Sequence, residues 1–166
     1  YTGEDTFTTA MSKMTVTYGT ETLVYGRDYM VEKVAGGSDY TQKGKQYVKI
    51  TAITDGDYNN YTGSKEDNNC YYTITGKSFS DAEGNPVSNL SISGIEGVRV
   101  PYDNGNPVFP QADEDNIVIE WDEQELVRDT DYKLSYENNT EAGTATVVIK
   151  GRGNYIGEVR VNYTIV

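Results

Sequence analysis

The chain has 166 residues, a net charge of −12, 15 tyrosines and no histidine. Without histidine there is no Ser-His-Asp or Cys-His nucleophilic system and no imidazole zinc site, and the acidity opposes nucleic-acid binding, which needs clustered Lys and Arg against phosphate. The single cysteine, Cys70, allows no internal disulfide, and no apolar run approaches the roughly 18 residues of a membrane span.

In chain order, Met14-Thr-Val-Thr-Tyr18 is the first predicted strand, with Met14, Val16 and Tyr18 on one face. Gln46-Tyr-Val-Lys-Ile50 follows, then an acidic, Asn-rich stretch and Tyr72-Thr-Ile74. Gly76–Pro86 contains the turn Asp81-Ala-Glu-Gly-Asn-Pro86, and Leu90–Val100 alternates again. Ile117-Val-Ile-Glu-Trp121, Tyr132-Lys-Leu-Ser-Tyr136, Ala145-Thr-Val-Val-Ile149 and Val159-Arg-Val-Asn-Tyr163 complete the set of strands. Turn residues separate them at Asp103-Asn-Gly105, Glu137-Asn-Asn-Thr140 and Gly151-Arg-Gly-Asn154. No stretch of ten or more residues has helical spacing with caps. The expected fold is all-β.

The chain also repeats itself. Leu23-Val24 and Asp28-Tyr29 recur 103 residues later as Leu126-Val127 and Asp131-Tyr132, and Tyr18 recurs as Trp121. Gly44, Val48 and Ile50 recur 99 residues later as Gly143, Val147 and Ile149. Asn60, Tyr61 and Gly63 recur 94 later as Asn154, Tyr155 and Gly157, and Tyr72-Thr-Ile74 recurs 91 later as Tyr163-Thr-Ile165. The offset changes only in polar segments, where loops absorb insertions. Two tandem small modules are therefore expected: 1–76, a short connection at 77–89, and 90–166. Copy two is preceded by the strand-like Leu90–Val100, whereas copy one starts at Tyr1. The first module is expected to lack its opening strand, through excision from a longer polypeptide, a trimmed boundary or a difference between copies. Such a gap exposes a sheet edge.

Asp129-Thr-Asp-Tyr-Lys-Leu-Ser-Tyr136, Asn138-Asn-Thr-Glu-Ala-Gly-Thr-Ala-Thr-Val-Val-Ile149 and Gly151-Arg-Gly-Asn-Tyr-Ile-Gly157 form a specific run. It resembles a tandem repeat of secreted and cell-wall proteins of anaerobic Firmicutes, especially gut Clostridia. That repeat has a Tyr-x-Gly opener, a "GTDYTVSY-NNTNAGTATVTI-GKGNYTG" centre and an aromatic-x-Ile finish. Tyr102 takes the opener's place and Tyr163-Thr-Ile165 the finish. Copy one departs from the pattern, being longer over Ala35–Lys43 and carrying Gly56-Asp-Tyr-Asn before Asn60-Tyr61. The resemblance implies small Ig-like β-sandwich modules in an extracellular bacterial surface protein. They would act as a spacer, stalk or adhesion-associated region, with neighbouring repeats as partners and no enzymatic activity.

The residues offer few chemical sites. Asp55, Asp57, Asn59 and Glu66 fall at positions 1, 3, 5 and 12 of a calcium-type loop, and a hard cation needs such converging oxygens. Against that reading, position 6 is Asn60 rather than glycine, and Asn60-Tyr61-Thr-Gly63 already belongs to the repeat. The expectation is a solvated turn and no cofactor. Asp113-Glu-Asp115 and the pair Glu123 and Glu125 supply carboxylates, but nothing sets them at a catalytic separation. Lys49 and Lys150 are candidate donors for an amide cross-link and alternate outward. Tyr40, Tyr58, Tyr71 and Tyr72, if exposed, would stack on sugar rings, which keeps open the alternative of a carbohydrate- or protein-binding module on copy one with a host glycan or protein as partner. The motif's own residues have structural readings. Gly143 and Gly157 are expected at turns closed to residues with a Cβ, and Tyr132 and Tyr155 ring-inward at corners with hydroxyls on backbone groups.

Overall fold

Alternating apolar and polar residues keep the backbone extended, so its N–H and C=O groups must be met by neighbouring strands. The computed structural model describes residues 1–35, 39–54, 61–66 and 69–166, and it is all-β apart from two short helical turns. The chain divides into two compact units, Tyr1–Thr75 and Gly76–Val166.

The first unit begins with the one-turn helix α1 (Phe7–Met11) and continues with β1 (Val16–Tyr18), β2 (Glu21–Leu23), β3 (Tyr29–Lys33), β4 (Gly44–Ala52), β5 (Ser64–Lys65) and β6 (Tyr71–Ile74). The helix forms where no helical spacing exists because Asp5 Oδ1 accepts the Phe7 N–H at 2.9 Å and Thr6 O accepts Ala10 N–H. β1 and β2 make a hairpin, β3 pairs with β4, and β4 pairs with β5 and then β6, all antiparallel. Tyr29, Val31, Tyr40, Val48 and Cys70 form its small core.

In the second unit lie β7 (Lys77–Ser78), β8 (Leu90–Ser93), β9 (Arg99–Val100), β10 (Val118–Trp121), β11 (Gln124–Glu125), β12 (Tyr132–Glu137), β13 (Gly143–Gly151), β14 (Tyr155–Ile156) and β15 (Glu158–Ile165). A 3-10 turn at Glu114–Asn116 is capped by Asp113, whose side chain accepts from Asp115 N–H. One sheet runs β11-β10-β8, another β12-β13-β15-β9, and β7 lies parallel to β14. The core runs from Phe79 through Ile119 and Trp121 to Ile149, Val159 and Ile165.

The sequence reads 77–89 as a short connection containing a turn. It belongs to the second unit: Phe79 is fully buried among Trp121, Tyr155 and Leu90, and its N–H bonds to Ile156 O. A large aromatic ring gains more from that site than from a solvated linker. The second unit therefore starts at Gly76 rather than Leu90.

Pairing in the two units carries the offsets found in the sequence. Tyr29 opposes Ala52 as Tyr132 opposes Gly151, and Val31 opposes Ile50 as Leu134 opposes Ile149. Tyr18 opposes Glu21 as Trp121 opposes Gln124, and Gly44 opposes Ile74 as Gly143 opposes Ile165. Thr51 opposes Ser64 as Lys150 opposes Glu158. The three-residue drop in offset between 94 and 91 is where one strand, β15, is matched by two, β5 and β6. Loop bonds correspond as well: Thr6 N–H to Tyr40 O matches Val108 N–H to Asn139 O, and Ile53 N–H to Asp28 O matches Arg152 N–H to Asp131 O.

Candidate functional site

The Asp-Tyr motif is a turn lock. Asp28 is 2% exposed, and its Oδ2 accepts Val24 N–H at 2.7 Å while Arg27 grips both carboxylate oxygens at 2.7 and 2.8 Å. The guanidinium, with the backbone N–H, holds its carboxyl below the ordinary range. Asp131 accepts Val127 N–H at 2.9 Å in the same way. The turn demands a left-handed residue, supplied by Gly26 in one unit and by Asp129 in the other.

The motif's tyrosines turn inward, as expected: Tyr132 and Tyr155 are buried. The hydroxyl-to-backbone bond reading, however, finds its clearest case at Tyr163, which donates to Val108 O at 2.6 Å. Gly143 and Gly157 take φ of 135° and 78°.

Two of the acidic candidates, Asp113 and Glu114, have partners. Asp113 caps its 3-10 turn, and Glu114 accepts from Arg128 and from the Tyr136 hydroxyl at 2.6 Å. Burial, reinforced by that carboxylate, drives Tyr136 far above the ordinary phenol range. Glu123 sits in the left-handed turn of the β10–β11 hairpin and Glu125 on β11. Asp55, Asp57 and Asn59 lie outside the described residues, as does Tyr58, and Glu66 is exposed with Lys49 at 4.0 Å. Among the described residues no group of three or more His, Cys, Asp or Glu side chains is placed to hold a metal ion. No helix among them is long and apolar enough to cross a membrane. Lys150 is exposed, and Cys70 is buried and not disulfide-bonded.

The three candidate sugar-stacking tyrosines among the described residues, Tyr40, Tyr71 and Tyr72, do not form a platform. Tyr40 is buried, with its hydroxyl accepting Val34 N–H at 2.8 Å and donating to Tyr47 O. Tyr72 is half-buried with its hydroxyl against Thr6 Oγ1, and Tyr71 is covered on one side by Lys45, 4.0 Å from the ring centre.

Among the described residues of the first unit Tyr18 is an exposed ring, with the half-buried Tyr61 beside it. Tyr18 is 71% exposed, whereas its counterpart Trp121 is 9% exposed. The Tyr18–Tyr61 rings meet edge-on at 5.6 Å, as Trp121 and Tyr155 meet at 5.7 Å. Glu21 accepts from the Tyr61 hydroxyl at 2.7 Å, which pins that ring under the hairpin and raises its ionisation above the usual phenol value. Around them runs a groove of about 400 Å³ lined by Val16, Leu23, Ile50 and Ala52. A second concavity of about 470 Å³ lies over Met11, Met14, Val48 and Tyr72. Val16, Leu23 and Ile50 are half-buried, whereas their counterparts Ile119, Leu126 and Ile149 are buried. Tyr18 escaped the sequence reading because alternation placed it on the core face.

Comparison with protein-family profiles, curated proteins and solved structures gave no match.

Proposed function

We propose that the chain is a non-catalytic pair of related Ig-like β modules from an extracellular, cell-wall or secreted bacterial protein, where it acts as a spacer or adhesion-associated region. The observation that carries this reading is the use made of the motif residues. Asp131 locks a turn, Tyr132 and Tyr155 fill the core, and Gly143 and Gly157 adopt left-handed backbone. None is left as a reactive or ligand-facing group, which suits a segment selected for its shape. The resemblance of 126–157 to repeats of Clostridial surface proteins supplies the setting. Antibody against the chain should label intact cells of the source bacterium. Labelling only after lysis would sink the extracellular assignment.

A second reading is favoured by one observation, the exposed Tyr18 above the apolar groove of the first unit. Under it this unit binds a host glycan or protein and the second unit supports it. Saturable binding on a glycan array, lost in Tyr18→Ala, would replace the spacer role with recognition of sugars.

A further inference from the structure

The sheet β12-β13-β15-β9 ends on β12, which among the described residues pairs with β13 and with no other strand. In an antiparallel pair, successive residues aim their N–H and C=O groups alternately at the partner and away from it. Asp131 O accepts Arg152 N–H on the β13 side, and Tyr132 O accepts Asp129 N–H on the opposite side, both at 2.8 Å. By that alternation Leu134 and Tyr136 present their backbone groups to the outer edge. Neither makes a backbone bond there among the described residues. The backbone on either side is engaged, since Tyr132 O takes Asp129 N–H and Asn139 O takes Val108 N–H at 2.7 Å. The open stretch is Lys133–Glu137, and Ser135 is its centre.

The equivalent edge of β3 is also unpaired among the described residues, with Tyr29 O accepting Gly26 N–H in the same way. An open edge at this strand is therefore a property of both units. The two edges differ in charge. Glu32 stands opposite Lys49 on β4, an attractive pair, whereas Lys133 stands opposite Lys150 on β13, a repulsive one. Lys150 has Glu158 opposite it on β15. Lys133 is exposed, and among the described residues no acidic side chain lies within ion-pair distance of it. Glu137 shares its solvent face and accepts Arg160 through one oxygen, Oε2, at 2.7 Å.

We propose that the outer edge of β12 is a self-association surface, across which a second copy of this chain adds its own β12 antiparallel about a two-fold axis at Ser135. In this register Leu134 of each copy exchanges N–H and C=O bonds with Tyr136 of the other, which satisfies the groups the edge leaves open. Ser135 meets Ser135 on the axis. Lys133 meets Glu137 of the second copy at a non-hydrogen-bonded position, where opposed side chains come closest. Symmetry makes the same pair twice. Each Lys133 so gains the counter-charge that its own sheet withholds. A register centred on Leu134 would instead set Lys133 against Ser135 and bring Tyr132, whose carbonyl is already bonded, against Tyr136. The pairing is short, so the dimer is weak and forms with rising concentration. A two-fold contact also closes on itself and uses up the edge, which stops further growth. None of this depends on where the protein resides or on what it binds.

The test is sedimentation of the intact chain over a range of concentrations, with amide exchange on the same samples. A reversible monomer–dimer equilibrium is expected, with protection of the Leu134 and Tyr136 amides that grows with concentration. Lys133→Glu and Glu137→Lys each set like charges opposite one another at both symmetry-related positions and should weaken the dimer about tenfold. Combining the two changes restores both pairs with their signs exchanged and should recover the wild-type equilibrium. That recovery separates lost pairing from lost folding, because a misfolded chain is not rescued by a second charge reversal. A chain that stays monomeric up to about 1 mM would overturn the proposal and make Lys133 a guard against edge pairing. A dimer indifferent to the single reversals, or one in which their losses add in the double variant, would overturn it too. So would protection at Val31 in place of Leu134, which would assign the contact to β3.

Discussion

Phe79 lies over Trp121 with ring centroids 6.4 Å apart and 28° between planes, and Lys77 Nζ sits 5.2 Å from the same indole. This stack closes one side of the second unit's core. It couples a residue from the stretch expected to be a linker to the residue that anchors the β10 edge.

Truncating the closing ring should loosen the second unit's core. Phe79→Ala removes a fully buried aromatic whose neighbours, Trp121 and Tyr155, are held on strands and collapse poorly into the space. The expected loss is about 3–5 kcal/mol, read by denaturant unfolding followed at the single Trp121. A loss below about 1 kcal/mol would show that the ring is not a core element.

The paired glycines should separate strain from crowding. Gly63 and Gly157 have φ of 94° and 78°, so alanine is strained at both, by about 1–2 kcal/mol. Gly157→Ala also presses on Ser78 and Ser80, and overpacking adds about 1–3 kcal/mol. Gly157→Ala is expected to be the more damaging of the two. Equal costs in thermal unfolding would contradict the difference in surroundings.

The turn lock should leave an acid signature on the first unit. The Asp28 carboxyl is depressed by Arg27 and the Val24 N–H, so the folded state binds its proton less readily than the unfolded chain. Its contribution is complete above the ordinary aspartate value of about 3.9 and is lost as pH falls through the lower folded value. Asp28→Asn should lower stability at neutral pH and flatten the acid decline, followed by amide exchange at Val31 and Val48. An unchanged acid profile would mean that the ion pair does not stabilise the turn.

Calcium should leave the protein's melting temperature unchanged at millimolar concentration. Of the four candidate ligands Asp55, Asp57, Asn59 and Glu66, only Glu66 is among the described residues, and it is exposed with Lys49 at 4.0 Å. A hard cation needs six or more oxygens converging on it. A calcium-dependent rise in melting temperature would restore the metal reading.

Most of the strands were legible because their signal is local. β10, β12, β13 and β15 follow from alternation along a few residues, and the Asp-Tyr turn follows from spacing that recurs. The one-turn helix α1 was not legible, since it depends on Asp5 reaching forward to accept the Phe7 N–H rather than on any periodic face. The role of 77–89 was also hidden. Its single large apolar residue, Phe79, gives no alternation, and its value comes from a site built by β10 and β14.

By itself the sequence determined that the chain is all-β and that one pattern occurs in it twice, because both are written in residue order and period. Tertiary structure alone decided which aromatic rings are covered. Tyr18 and Trp121 occupy the same register and face, yet burial differs because a segment distant in sequence reaches one and none reaches the other among the described residues. Burial is a property of what packs against a face, and that is set by the whole fold rather than by the strand that bears it.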